Sequence, residues 1–362
     1  MYKSSMLAVL MLGLALLVSS CRPPELSGAV IHYNGKRYNE AYEQAKIAVE
    51  KYPDNAEAWY YYGLISGELK KYDEMINAFN KAESLSKQFD VQILNQRNRY
   101  FVDTFNAGIK DYQKYPQVKS ENPEEAKKVM QEAIQYFTYA NQLKTNYNAA
   151  RMIAICYQIL GDNDNAIESY KNLTKTFPDS ANAYADLGSL YFYNKDYDNT
   201  ITQLNKALEK DSTNANALTL LAQTYDFQHQ TDKAIETYRK AIRFNPEEKA
   251  LPFNLGLLLV NATNKSPDLS DDVKNKYLNE AVALFEKVLE MDPDFKEAYQ
   301  LKGQSELLLE KNEEALKTLQ AGVEKFPDDV NMWTNISVAH ARLGNKKEAE
   351  AAYKKAQELE KN

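Results

Sequence analysis

Residues Ala181–Asn214 read ANAYADLGSLYFYNKDYDNTITQLNKALEKDSTN. Bulky residues stand at Tyr184, Leu187, Tyr191 and Leu204, and small ones at Gly188 and Ala207. The order returns in the next 34 residues as Leu218, Leu221-Ala222, Tyr225, Ala234, Tyr238, Ala241 and Pro246. Spacings then carry the period outward in both directions. Tyr157, Tyr191 and Tyr225 are 34 apart, as are Ala281, Ala315 and Ala349, and Pro293 and Pro327; Pro178 and Pro246 are 68 apart. Trp59 and Trp333 hold one position of this period in two distant segments. Self-similarity at a fixed period of a few tens of residues marks a repeat array, in which each unit buries its apolar face against its neighbours.

Composition agrees with helices. The chain of 362 residues has only 12 Gly and 11 Pro and is rich in Ala, Leu, Asn, Glu and Lys, which favours helix over sheet. Its 44 Lys+Arg against 51 Asp+Glu leave a net charge of −7 with the signs interspersed. That offers no electrostatic footprint for nucleic acid or anionic headgroups. Tyrosine is in excess, 26 against 13 Phe and 2 Trp, and the repeats account for most of it.

The 34-residue pattern resembles the tetratricopeptide repeat (TPR), a helix-turn-helix unit. The resemblance implies an all-α fold, a right-handed superhelical solenoid. In its register Gly63, Gly188, Gly256 and Gly303 lie on the first helix of their units, where a missing side chain admits the paired helix. Ala41, Ala166, Ala234, Ala281, Ala315 and Ala349 are the small residues of the second helix, and Phe79, Tyr170, Tyr238, Phe285 and Tyr353 fill the space between units. The closing prolines stop helices, and Gly161-Asp162 and Gly344-Asn345 make turns. About nine units follow, at 22–55, 56–90, 91–146, 147–180, 181–214, 215–248, 249–295, 296–329 and 330–362, the first with a weak opening helix and the last lacking a polar capping helix beyond Glu358. Two units are long. Phe105-Asn106-Ala107-Gly108 matches Phe253-Asn254-Leu255-Gly256, and both carry extra residues between their helices, near 113–124 and 262–275. Such insertions are expected to project as loops.

The chain opens differently. Lys3 begins a short positive segment and Met6–Val18 is an uncharged apolar run, too short to cross a bilayer and matching the core of an export signal. Leu17-Val18-Ser19-Ser20-Cys21 resembles the lipobox of bacterial lipoproteins, with Val18 where Leu is usual. The resemblance implies a signal peptide over 1–20, cleavage before Cys21, and lipid attachment to it. Residues 21–28 then form a lipidated tether and 29–362 the solenoid, anchored in a bilayer through Cys21. Each buried methylene contributes about 0.8 kcal/mol, so two or three chains hold durably. Arg22 rather than Asp follows the cysteine, which favours the outer membrane of the cell envelope, on its periplasmic face.

Residues for chemistry are scarce. His32 and His340 fall where the repeat usually has Tyr, His229 lies at a turn, and none neighbours another ligand in metal spacing. No nucleophile elbow, phosphate loop or zinc-protease motif occurs, so no cofactor, no metal and no enzyme activity are expected. Cys156, among Met152, Ile153, Ile155, Ile159 and Leu160, reads as a small buried hydrophobe.

The resemblance also implies a concave groove lined by the first helices. Its second, fifth, ninth, twelfth and thirteenth unit positions map to Asn148 and Arg151, to Asn182, Ser189, Phe192 and Tyr193, to Asn216, Thr219, Gln223, Asp226 and Phe227, and to Gln300 and Gln304. This amide-and-aromatic lining suits a protein or peptide partner held by backbone hydrogen bonds and ring contacts. The Lys/Asn/Lys/Arg clamp that some relatives use for a terminal carboxylate is not reproduced. The expected function is a membrane-tethered adaptor or scaffold of the bacterial envelope; the alternative is a glycan- or small-ligand-binding outer-membrane lipoprotein.

Overall fold

The computed structural model describes residues 22–265 and 269–361, so Cys21 and the apolar run before it lie outside the described residues. Within that range there are eighteen α-helices and one short 3-10 helix. The chain divides into two compact units, Met1–Leu173 and Thr174–Asn362. In the first, α1 (Pro24–Asn34) pairs with α2 (Tyr38–Lys51), α3 (Ala56–Glu68) with α4 (Tyr72–Leu85), and α5 (Asp90–Glu121) with α6 (Pro123–Leu143); α7 (Tyr147–Leu160) and α8 (Asn163–Thr176) follow. In the second, α9 (Ala181–Tyr193) pairs with α10 (Tyr197–Lys210), α11 (Ala215–Phe227) with α12 (Thr231–Phe244), and α13 (Ala250–Lys265) with α14 (Asp271–Met291). The hairpins α15 (Lys296–Leu308) with α16 (Asn312–Lys325) and α17 (Val330–Arg342) with α18 (Lys346–Glu360) complete it. The fold is an all-α TPR solenoid.

Each hairpin starts and turns for local reasons. Asn55, Asn146, Ser180, Asn214 and Asp329 stand one residue before a first helix, and their side chains accept from the amides of Ala58, Ala149, Ala183, Ala217 and Met332. Such caps satisfy an orphan donor and contribute about 1 kcal/mol each. The turn between paired helices puts one residue into the left-handed region: Lys36, Lys70, Lys195, His229 and Glu310 at φ 57° to 61°, and Gly161 and Gly344 at 75° and 80°. Gly161, Lys195 and His229 are successive repeats of one position. A side chain there is strained by about 1–2 kcal/mol, partly offset by the extra unfolded-state freedom of glycine. Lys195→Gly is therefore expected to stabilise by about 0.5–1 kcal/mol and Gly161→Ala to destabilise by about 1 kcal/mol, both read from urea denaturation midpoints.

Packing within a hairpin follows from its glycine. A Cβ on Gly63 would stand 2.6 Å from the ring of Phe79, one on Gly188 2.8 Å from Leu204, and one on Gly303 2.5 Å from Leu319. The bulky residue of the second helix thus lies on the bare backbone of the first, and Phe79, Leu204 and Leu319 are fully buried. Cys156 is buried too, and burial pushes its thiol up to about 12. At that value it is inert at neutral pH. Tyrosines add polar ties to the first unit: Tyr42 and Tyr62 donate to Glu74 Oε2 at 2.7 and 2.6 Å, and Tyr139 donates to Asp73 at 2.7 Å.

Two expectations change. Residues 24–28 of the stretch expected as a tether are helical, since α1 begins at Pro24 and buries Leu26 and Ala29. Proline suits the first helical position, where its missing N–H is not needed. Extra residues expected to form loops near 113–124 and 262–275 mostly lengthen helices instead. The pair α5 and α6 has 32 and 21 residues, and α13 and α14 have 16 and 21, where most other helices have 13 or 14. The last helix is polar on its outer face: Glu350, Gln357 and Glu360 stand where Leu316 and Val323 of α16 and Phe326 just after it pack on the core, the composition of a capping helix.

Candidate peptide-binding groove

First helices of successive hairpins touch one another in the second unit, α9 with α11 and α15 with α17, so each pair presents its outward faces side by side. On α9 and α11 the expected residues come together. Rings of Phe192 and Phe227 meet edge-on at 5.6 Å, and Phe192 and Tyr193 at 6.4 Å. Tyr197, the first residue of α10, lies 6.0 Å from Phe192 and is parallel to Phe227 at 6.0 Å. Tyr193 is 70% and Phe227 59% exposed. Exposed aromatics gathered in one place mark an interaction surface more than single ones do.

The polar members divide. Asn182 is exposed and accepts from Asn214 Nδ2 at 3.0 Å, so a neighbouring helix cap orients it. Asn216 is exposed, Ser189 and Gln223 are half-buried, and the Thr219 hydroxyl donates to Ala215 O within its own helix at 2.9 Å. Asp226 is exposed and precedes Phe227 in the chain, and Lys265 and His229 are the charges that act on it. On α15, Gln300 does not offer its amide to the groove: Nε2 donates to both oxygens of Asp329 at 2.8 and 2.7 Å. It braces the cap of α17. Gln304 is exposed on the same helix. Asn148, exposed, and Arg151, half-buried, lie on α7 of the first unit.

Sequence reasoning missed Tyr197. Its signal was present, since Tyr38, Tyr72 and Tyr197 open second helices at one repeat position. Tyr197 stands on a second helix, outside the first-helix positions that line the groove in the family.

Two other concavities repeat one packing trough. One of 540 Å³ lies among Leu208, Leu218, Tyr225 and Lys233, and one of 420 Å³ among Leu289, Tyr299, Glu306 and Glu314. Each residue of the second stands 81 beyond its counterpart in the first, two units along with one insertion. Among the described residues, no group of three or more His, Cys, Asp or Glu could hold a metal ion, and no helix is long and apolar enough to cross a membrane.

Models of the tetratricopeptide repeat match residues 28–88, 149–180, 179–247, 273–335 and 330–362, together more than half of the chain. The chain belongs to the tetratricopeptide-repeat family. Among its relatives, it is 24% identical to the BBSome complex member bbs-4 of Caenorhabditis elegans, over 93% of this chain and 75% of that protein. It is 32% identical to BBSome complex member BBS4 of Bos taurus, over only 30% of this chain and 21% of that one. Solved TPR structures resemble it in part. YrrB, described as a TPR protein with an unusual peptide-binding site, aligns with a TM-score of 0.47 at 21% identity, over 54% of this chain and 95% of that one. MamA from Desulfovibrio magneticus RS-1 aligns at 0.42 and 16% identity, over 50% and 95%.

Proposed function

We propose that this protein is an adaptor of the bacterial cell envelope, held at a membrane by a lipidated Cys21 and gripping a partner segment on the α9–α11 face. The observation that carries the binding half is the aromatic group of exposed Tyr193 and Phe227 with half-buried Phe192 and Tyr197, on helices that also carry exposed amides at Asn182 and Asn216. Rings supply apolar area while amides pair with a peptide backbone. A relative named as a member of a complex is in keeping with a scaffold. For the anchor, the support is the lipobox resemblance around Cys21 and the place of α1, which begins three residues later at Pro24. Arg22 pairs with Glu57 at 2.5 Å, so a lipid on Cys21 would hold the first hairpin close to the bilayer, with almost no slack.

Both halves are testable in cells. Fed an alkyne fatty acid, the bacterium should label the wild-type protein and retain it in the membrane fraction, while Cys21→Ser should be unlabelled and lose its membrane retention. Labelling that survives Cys21→Ser would sink the anchor. For the groove, proteins retained by the wild type from detergent-solubilised envelope should be lost by Tyr193→Ala/Phe227→Ala. Unchanged retention by that variant, or glycan binding abolished by it with no protein retained, would replace the adaptor by the glycan-binding reading.

A further inference from the structure

The two matching troughs of the second unit differ in charge. In one, Leu221 and Tyr225 of α11 form part of the wall; 81 residues on, the same two places on α15 hold Lys302 and Glu306, and Asn205 gives way to Glu286 on α14. Lys302 Nζ pairs with Glu286 Oε2 at 2.6 Å, meets Glu306 Oε1 at 3.4 Å and donates to Thr318 Oγ1 at 3.1 Å. Glu306 is 4% exposed, and its second oxygen, Oε2, is buried with no hydrogen-bond partner among the described residues. Burying an ion pair costs desolvation, and an unmet lone pair adds to that cost. Glu290 from α14, Tyr299 from α15, and Glu314 and Lys317 from α16 line the same trough. Arg342 of α17 donates to Leu307 O at 2.5 Å, and α13, which touches α15, is uncharged until its last residue, Lys265.

We propose that Glu306 is a proton-controlled latch on the seam of α14, α15 and α16: a proton taken from solvent in mild acid tightens the seam, and its loss at neutral pH loosens it. Burial raises the pKa of Glu306, outweighing Thr318 and Lys302, which favour the charged form. A carboxyl whose folded value lies above its unfolded one binds more protons when folded. Its contribution to stability is therefore fully present below the unfolded value, about 4.5, and is lost as pH rises through the folded one. Lys302 does not follow, because Glu286 and Glu306 outweigh the effect of burial and keep it charged. With Glu306 neutral, the ammonium still has Glu286 and Thr318. The effect passes along α15, whose Gln300 holds the cap of α17 through Asp329. The trough with Leu221 and Tyr225 has no carboxyl at that place and is the internal reference.

The test is amide hydrogen exchange of the full chain in detergent micelles at pH 5.0 and 7.5, corrected for the intrinsic pH dependence of exchange. It is read in peptides from α14–α16, with α10–α12 as reference. Glu306→Gln keeps the size of the neutral acid. Relative to wild type it is expected to exchange at least ~3-fold more slowly at pH 7.5 and equally at pH 5.0, since the amide carries no charge to desolvate. Lys302→Met leaves the carboxylate buried without its cation, so exchange should rise ~10-fold or more at pH 7.5 and ~3-fold or less at pH 5.0. Peptides from α10–α12 should not change in either variant. An unaltered pH ratio in Glu306→Gln, faster exchange of that variant at pH 7.5, or a loss in Lys302→Met that is the same at both pH values would overturn the proposal. If Lys302→Met does not fold, the Glu306→Gln ratio alone decides.

Discussion

Phe285→Ala is expected to destabilise the second unit by about 3–5 kcal/mol, read as a lowered urea midpoint of its unfolding transition. The ring is fully buried among Leu255, Leu259, Ala281, Val288 and Ala298. It meets Phe253 edge-on at 6.0 Å and lies on the backbone of Gly256. Truncation loses both the transfer energy of the ring and the contacts around the void, because helices held by two neighbours relax little. Tyr353 provides the control. It occupies the same repeat position two units on, yet is 54% exposed, so Tyr353→Ala should lie within about 1 kcal/mol of the wild type. Equal losses at the two positions would mean that burial between units does not set the energetics.

Gly256→Val is expected to destabilise by about 2–3 kcal/mol. A Cβ there would stand 2.8 Å from Cε1 and 2.9 Å from Cζ of Phe285, and that fully buried ring has no room to move. Overpacking of this kind typically costs about 1–3 kcal/mol. Alanine is a gentler probe, since its gain in helix propensity of about 1 kcal/mol offsets part of the clash. The coupling decides the mechanism. Joined to Phe285→Ala, which removes the obstructing ring, Gly256→Val should cost less than the sum of the two single changes. Additive losses would show that the glycine serves something other than the approach of this ring.

Much of this architecture was legible in the sequence because TPR packing is periodic and local. Gly63, Gly188, Gly256 and Gly303 announced where helices close, and Phe79 and Phe285 announced what closes on them. The insertions were less legible. Tyr115-Pro116 reads as a break, since proline removes a helical donor and clashes with the preceding turn, yet α5 runs through Pro116 to Glu121. The stripe Phe105, Ile109, Tyr112 and Tyr115 packs on the cluster around Phe137, and that packing outweighs the proline. Groove residues were legible by position but not by partner. Repeat register placed Phe192, Tyr193 and Phe227 together, whereas Gln300 is engaged by Asp329 from the next hairpin. A single repeat position does not encode such a pairing.

The central claim, that the α9–α11 face holds a protein segment, is met most directly by site-specific photocrosslinking in living cells. Benzoylphenylalanine at the exposed Tyr193 replaces one aromatic by another; at the exposed Lys240 on α12 it reports a second-helix surface of the same unit. The account predicts a discrete, partner-sized adduct from position 193, lost when Phe227→Ala is added, and none from position 240. Adducts from position 240 alone, or equally from both, would contradict it.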